Sequence, residues 1–393
     1  MEFLSQRARA IQASITLSIT AKAKAMKAQG LPVLDFSVGE PDFHTPEPIK
    51  GAAINAIREG FTKYTAAGGI PELKEAIARK YEKELGLIFS PPQILVSNGG
   101  KHALHNVLQA LLDPGDEVVI PSPYWLSYPD MVSLSGGRPV ILNTRMEDGY
   151  KIEIDALRRA LNSKTKALLL NSPSNPTGAV YTADELKAVA SVVESSKALV
   201  ISDDVYEKFV YDGGTFVNIL SVAPQLCNRV VIINSASKTY SMPGWRIGYA
   251  LGPASLITAA TRIQGQATSC AGSISQKALT FALHMEPETV EFFRQSFEAR
   301  RNLMMNGLEG IRGISIHRPA GAFYLFADVS ALIAATHGIA GSVDFCTHLL
   351  ERHHMACVPG KAFGDDRCIR FSFVADENDI REGVNRLRLL GSN

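Results

Sequence analysis

The sequence predicts an α/β protein, with a large domain built on a mostly parallel sheet between helices and a smaller α+β domain beside it. Three observations carry that expectation. Between Pro91 and Gly252, short apolar runs alternate with helical patterns, as in a parallel sheet covered on both faces. Beyond Gly252 the pattern turns helical and then mixed, so the chain changes character once. At 393 residues it also exceeds one compact core, so two domains are expected. The expected division is an N-terminal arm over 1–30, a large domain over 46–299, and a small domain from 31–45 with 300–393.

The arm ends in an amphipathic helix, Ala21–Gln29, stopped by Gly30 and Pro32. A short strand, Val33–Ser37, runs into Val38-Gly39-Glu40-Pro41, where Gly39 fits either a close backbone approach or a simple turn. Pro46 starts a helix to Glu59, and Tyr64 follows in a loop. Five apolar runs then read as strands: Gln93–Ser97, Glu117–Ile120, Ala167–Leu170, Ala198–Ser202 and Val230–Ile233. After the first, Asn98-Gly99-Gly100 turns into a helix over Lys101–Leu112. Helices follow at Leu256–Gln266, Ser275–His284 and Glu288–Leu308, the last bridging to the small domain. That domain reads as strands Ile314–Arg318, Ala322–Asp328, Ala356–Val358 and Cys368–Phe373, with helices over Ser342–His353 and from Glu377.

Composition excludes several function classes. Lys and Arg total 40 against 39 Asp and Glu, so no global field draws nucleic acid or an anionic membrane. An anionic ligand therefore needs a local site. The five cysteines (227, 270, 346, 357 and 368) are scattered without a C-x-x-C pair, which argues for reduced thiols and a cytoplasmic protein. His102 with His105, and His353 with His354, lack further ligands at metal spacing. No export signal or membrane-spanning run is expected.

Each of the five strands releases a polar or aromatic residue at its carboxyl end. These are Gly100, Trp125, Asn175, Asp203 with Tyr206, and Lys238. In a parallel sheet those ends share one edge, where open α/β sheets bind ligands. Taken singly, Lys238 also fits an exposed loop lysine, and Asp203 and Asn175 fit helix caps. Together they fit one polar ring with a phosphate tail. The Gly99-Gly100 helix start offers free N–H groups to a phosphate. Arg246 adds a planar donor fork, and Ser235 and Ser237 add hydroxyls. An amine beside such a cradle is what pyridoxal 5'-phosphate (PLP) needs, since the amine forms a Schiff base with its aldehyde. Arg370 stands in an otherwise apolar strand; it fits a surface arginine or, facing a cofactor cleft, a carboxylate clamp.

The motifs Ser172-Pro-Ser-Asn-Pro-Thr-Gly178, Ser202-Asp-Asp-x-Tyr206 and Ser235-x-Ser-Lys238, with Gly244-Trp-Arg-x-Gly-Tyr249, resemble the class I aminotransferases of PLP fold type I. The likeness is greatest to the aspartate aminotransferase branch of bacteria and plastids, close to its glutamate/aspartate-prephenate members, and runs over essentially the whole chain. It implies a seven-stranded sheet, with Lys238 bound to PLP and then carrying the proton between Cα and C4′. Asp203 would pair with the pyridinium nitrogen, and Tyr206 and Asn175 would hydrogen-bond the phenolate oxygen. Trp125 would stack on the ring. Arg246, Ser235, Ser237 and the Gly100-Lys101 backbone would hold the phosphate. Tyr64 would come from the neighbouring subunit, giving a homodimer with shared active sites. Arg370 would clamp the substrate α-carboxylate, helped by Gly39 and Asn175. Two residues depart from the pattern: Ser237, where relatives often carry Ala, and Tyr128, where the animal and enteric branch places a His behind the cofactor Asp.

For substrate, a lysine at the mouth of the cradle either adds charge to the phosphate or selects a second carboxylate. The resemblance favours the latter for Lys101, aided by Ser14 and Thr16 of the arm. Gln12 matches a position where prephenate-competent members carry Lys, Arg or Gln; it also fits an ordinary arm residue. The expected activity is transfer of the amino group between aspartate or glutamate and the 2-oxo acids oxaloacetate and 2-oxoglutarate, with prephenate converted to arogenate. Rival readings are an aromatic or kynurenine-type aminotransferase, a C–S β-lyase on the same fold, and a PLP-fold regulator. A regulator would carry a DNA-binding domain ahead of the fold, and only the arm, 1–30, precedes it here.

Overall fold

The computed structural model describes residues 3–5, 8–9, 11 and 15–391, except for the side chains of 15–17 and 391. A helix over Ile15–Ala28 leads to the two-residue strand β1 (Leu34–Asp35), shorter than the expected Val33–Ser37 because it pairs only with a two-residue partner. The next strands are β2 (Ile94–Ser97), β3 (Glu117–Ser122), β4 (Arg138–Asn143), β5 (Thr165–Asn171), β6 (Leu199–Asp203), β7 (Val230–Ser235) and β8 (Gly248–Leu251). They form one seven-stranded sheet in the order β2-β8-β7-β6-β5-β3-β4.

Strand β8 is antiparallel to both β2 and β7, and every other neighbouring pair is parallel. Two reversals cancel, so β2 points the same way as β7. The carboxyl ends of β2, β3, β5, β6 and β7 therefore share one edge, and the turn into β8 starts from it.

The strands are apolar throughout because both faces are covered. Along β7, Ile232 joins the core beneath helices Pro71–Leu85, Ala183–Glu194 and Ser273–Ala282, while Val231 and Ile233 point into the opposite core with helices Gly100–Leu111 and Ala254–Ala267. Each fully buried aliphatic side chain contributes about 1.5–3 kcal/mol. The smaller unit holds β9 (Ser315–Ile316), β10 (Tyr324–Asp328), β11 (Met355–Ala356), β12 (Val358–Pro359) and β13 (Cys368–Ser372). Four of these form an antiparallel sheet, β12-β13-β10-β9, and β11 pairs with β1. The long helix Glu288–Leu308 packs on the C-terminal helix Glu377–Gly391 and buries Phe293, Phe297, Met304 and Leu308 in this second core.

Several elements go beyond the expectations from sequence, among them helices Pro71–Leu85 and Ala183–Glu194, edge strand β4 and inserted strand β8. The arm helix also begins at Ile15 rather than Ala21. Among the described residues no helix is long and apolar enough to cross a membrane.

Candidate active site

Over the shared strand edge lies a cavity of about 740 Å³, with Arg370 and Tyr324 entering from the smaller unit. At the end of β7, Ser235 caps the turn Ala236–Thr239 by accepting the Ser237 N–H at 3.4 Å, and that turn presents Lys238. Lys238 Nζ donates to the Gly39 carbonyl at 2.5 Å. Burial pushes its amine down to about 8; Arg370, Arg246 and Lys101 push the same way, and Glu40 opposes them. A lysine so poised is a competent nucleophile and base near neutral pH.

Asp203 ends β6, on the same edge. Its carboxylate accepts the Tyr128 hydroxyl at 2.6 Å and the Val205 N–H at 3.3 Å. Burial raises its pKa to about 6, although both hydrogen bonds favour the charged form. The neighbouring Asp204 turns away, accepting Ser202 Oγ and Asn218 Nδ2 at 2.6 Å each. Of the two adjacent acids, only Asp203 lines the cavity.

Tyr206 meets the Tyr324 hydroxyl at 3.0 Å. Asn175, after β5, accepts Arg370 Nη1 at 3.0 Å, and Arg370 Nη2 donates to the Ser37 carbonyl at 3.0 Å. The Arg370 guanidinium lies over the Tyr324 and Phe363 rings, at 4.2 and 5.0 Å from their centres. It is buried at 3 % exposure, so the surface alternative for this strand arginine falls. Among the described residues its Nε is buried without a partner, a donor left over for a ligand.

The fourth wall is a cradle. Gly99 turns the chain with φ +91, and Gly100 begins the helix behind it. A Cβ on Gly99 would lie 2.5 Å from Arg246 Nη2, and one on Gly248 would lie 2.4 Å from the Gly100 nitrogen. Only glycine lets the helix start, β8 and the guanidinium close on one another. Ser235, Ser237 and Arg246 line the same wall. Helix N–H groups, hydroxyls and guanidinium make an anion site, and with Lys238 and Asp203 they fit PLP. Lys101 reaches across the front, donating to Ser127 Oγ at 3.1 Å and lying 4.7 Å from the Trp125 ring centre. Trp125 meets Tyr128 edge-on, with ring centres 5.2 Å apart.

The fold thus brings together Gly39, Gly100, Lys101, Trp125, Asn175, Asp203, Tyr206, Ser235, Ser237, Lys238, Arg246 and Arg370. Tyr64 lies elsewhere, 88 % exposed. Gln12 and Ser14 fall outside the described residues. Thr16 belongs to the arm helix, which lines the cavity through Thr20 and Lys24, but its side chain is not described. Reasoning from sequence left out Tyr324, Ser37 and Asp35, and treated Tyr128 only as a departure. The oddity that singled out Arg370, a polar group in an apolar strand, also marks Tyr324.

Residues 32–387 match the sequence model of the family described as aminotransferase class I and II. The aspartate/prephenate aminotransferase of Nitrosomonas europaea is 45% identical, covering 98% of this chain and 99% of its own. An aspartate aminotransferase of Bacillus sp. strain YM-2 is 42% identical, covering 98% of each. The crystal structure of the aspartate aminotransferase from Rhizobium meliloti superposes with a TM-score of 0.95 at 42% identity, covering 100% of this chain and 99% of that one. That of Thermus thermophilus with maleate gives 0.93 at 39% identity, covering 99% and 100%.

Proposed function

Because the chain belongs to the class I and II aminotransferases and is a PLP-dependent enzyme of their aspartate branch, we propose that it exchanges the amino group between L-aspartate or L-glutamate and 2-oxo acids. Oxaloacetate and 2-oxoglutarate are the acceptors, and prephenate is converted to arogenate. One observation carries this reading: two cations, Arg370 and Lys101, line the same cavity as Lys238, the amine that burial pushes down to about 8. Two cations around one amine suit a substrate that carries two carboxylates as well as the reacting carbon.

When bound, PLP supplies the electron sink that lets a proton leave the amino acid's Cα. Lys238 Nζ takes that proton and returns it during the exchange. Asp203, aimed into the cavity by Tyr128, would face the ring nitrogen, and Tyr206 and Asn175 the ring oxygen. Arg246, Ser235, Ser237 and the Gly100-Lys101 backbone would hold the phosphate, and Trp125 would cover the ring. Arg370, with Gly39 and Asn175, binds the α-carboxylate. Lys101, with Ser14 and Thr16, reads the distal one, and Gln12 donates to the prephenate hydroxyl.

The working unit is a homodimer in which Tyr64 completes the partner's phosphate site; its 88 % exposure, and the exposure of Ile54 and Ile57 on the preceding helix, support this. Five free cysteines support a cytoplasmic setting. The division into 1–30, 31–45 with 300–393, and 46–299 draws support from the core built around β10 and β13, although that core also takes in Ile19 and Ala23 of the arm and Tyr206, Phe209, Tyr211, Phe293 and Phe297 of the large domain.

The test is a panel of half-reactions on purified holoenzyme, with aspartate, glutamate and phenylalanine as donors and oxaloacetate, 2-oxoglutarate and prephenate as acceptors. Lys101→Ala should cut kcat/KM for aspartate at least about tenfold and spare phenylalanine. Unchanged aspartate turnover would overturn the substrate assignment, and transamination by Lys238→Ala would overturn the mechanism.

A further inference from the structure

The Arg370 guanidinium is fixed at two points. One is the Asn175 side chain; the other is a bare carbonyl, that of Ser37. Residue 37 sits where the chain leaves the sheet: Asp35 is the last residue of β1, and Phe36 makes the last ladder bonds, its N–H to Ala356 at 2.8 Å and its carbonyl from Ser372 at 2.9 Å. The Ser37 peptide is held instead by the Asp35 side chain. Asp35 Oδ1 accepts the Ser37 N–H at 3.1 Å and the Ser37 hydroxyl at 2.6 Å, a local turn that sets the direction of the residue. The Ser37 hydroxyl also lies 3.4 Å from Thr20 Oγ on the arm helix. Ser37 is 2 % exposed, and Asp35, Ser37 and Thr20 all line the cavity.

We propose that Asp35 and Ser37 are positioning residues for the carboxylate clamp: Asp35 locks the Ser37 peptide, whose carbonyl aims Arg370 at the substrate, and Thr20 ties that lock to the arm. This rests on Arg370 binding the α-carboxylate. It makes a prediction opposite in sign to simple electrostatics. Asp35 is an acid in the lining of a cavity read as taking dianions, so removing its charge should by Coulomb attraction alone tighten binding. As a positioning group, its removal should weaken binding, because the guanidinium loses one of its two fixed acceptors.

The experiment compares Asp35→Ala, Asp35→Asn, Ser37→Ala and Arg370→Lys holoenzymes. Readouts are KM and kcat for aspartate and 2-oxoglutarate, and the Kd of succinate, an unreactive dicarboxylate, by calorimetry. Asp35→Ala should raise KM and the succinate Kd about tenfold with kcat within about twofold. Asp35→Asn keeps the Oδ1 acceptor and should stay within about twofold of the parent. Ser37→Ala, which retains the carbonyl and the N–H bond, should move both constants about threefold. Tighter binding in both Asp35 variants, or unchanged constants in Asp35→Ala and Ser37→Ala, would overturn the proposal. Loss confined to kcat and thermal stability would do the same. Should Asp35→Ala not fold, Ser37→Ala and Asp35→Asn decide it alone. Unchanged affinity in Arg370→Lys would overturn the clamp itself, a distinct result.

Discussion

Asp203 is maintained against its surroundings. Burial raises its carboxyl from 3.8 to about 6, although Tyr128 and Val205 stabilise its charged form. The unfolded chain gives up this proton first, so between those two values the native state binds more protons and stability falls as pH rises. Above about pH 6 the full penalty, ~3 kcal/mol, is present; below about pH 4 it vanishes. Apo Asp203→Asn should therefore melt several degrees above the parent at pH 7.5 and equal it near pH 4, while transamination falls at least about a hundredfold. Thermal melts at the two pH values check the first part, and steady-state assays the second. Tyr128→Phe removes a bond that favours the carboxylate, so the acid limb of the kcat/KM profile should move up by about one pH unit. A limb that stays in place would remove Tyr128 from the site's electrostatics.

Among the elements, helix Pro71–Leu85 does more than cover the sheet. It drives Lys80, 8 % exposed, to within 2.7 Å of Glu207 and 3.0 Å of Glu84. Burial alone would lower this lysine's pKa, but Glu207, Tyr249 and Glu84 hold it well above the ordinary value. Lys80→Met strands Glu207 in the interior and should cost about 3–5 kcal/mol in urea unfolding; Lys80→Met with Glu207→Leu should recover most of it. Equal losses in the single and double variants would show that packing, not pairing, is at stake.

The same lysine explains why this helix is hard to see from sequence. Leu73, Ala76, Ile77, Lys80 and Tyr81 are buried at helical spacing, with a charge inside the apolar stripe. Its end signals, Pro71 at the start and left-handed Gly86 at the stop, were nevertheless legible. Strand β4 hides differently, as an exposed edge with Pro139 in it, and β8 is four residues opening on a glycine. The five site-bearing strands were readable because both their faces are buried, which makes each a short unbroken apolar run. The Ser37 peptide was not, because a carbonyl's role leaves no trace in residue type.

At the scale of the molecule, helix Glu47–Arg58 leaves Ile54 and Ile57 47 % and 52 % exposed, and Tyr64 stands out at 88 %. Ile57→Lys should shift sedimentation from dimer toward monomer and lower activity about tenfold or more. Tyr64→Phe should leave the dimer intact while weakening PLP binding about threefold to tenfold. An Ile57→Lys protein that sediments and works like the parent would dismiss this face as the contact. The path of the chain through the sheet matters as well. Lys238 and Arg246 hang from one connection, between β7 and its reversed neighbour β8. In a gene-shuffling library, crossovers outside that hairpin pass the pair on as a single cassette. One extra residue inserted between them would displace amine from guanidinium, and the purified protein should lose the yellow of bound PLP.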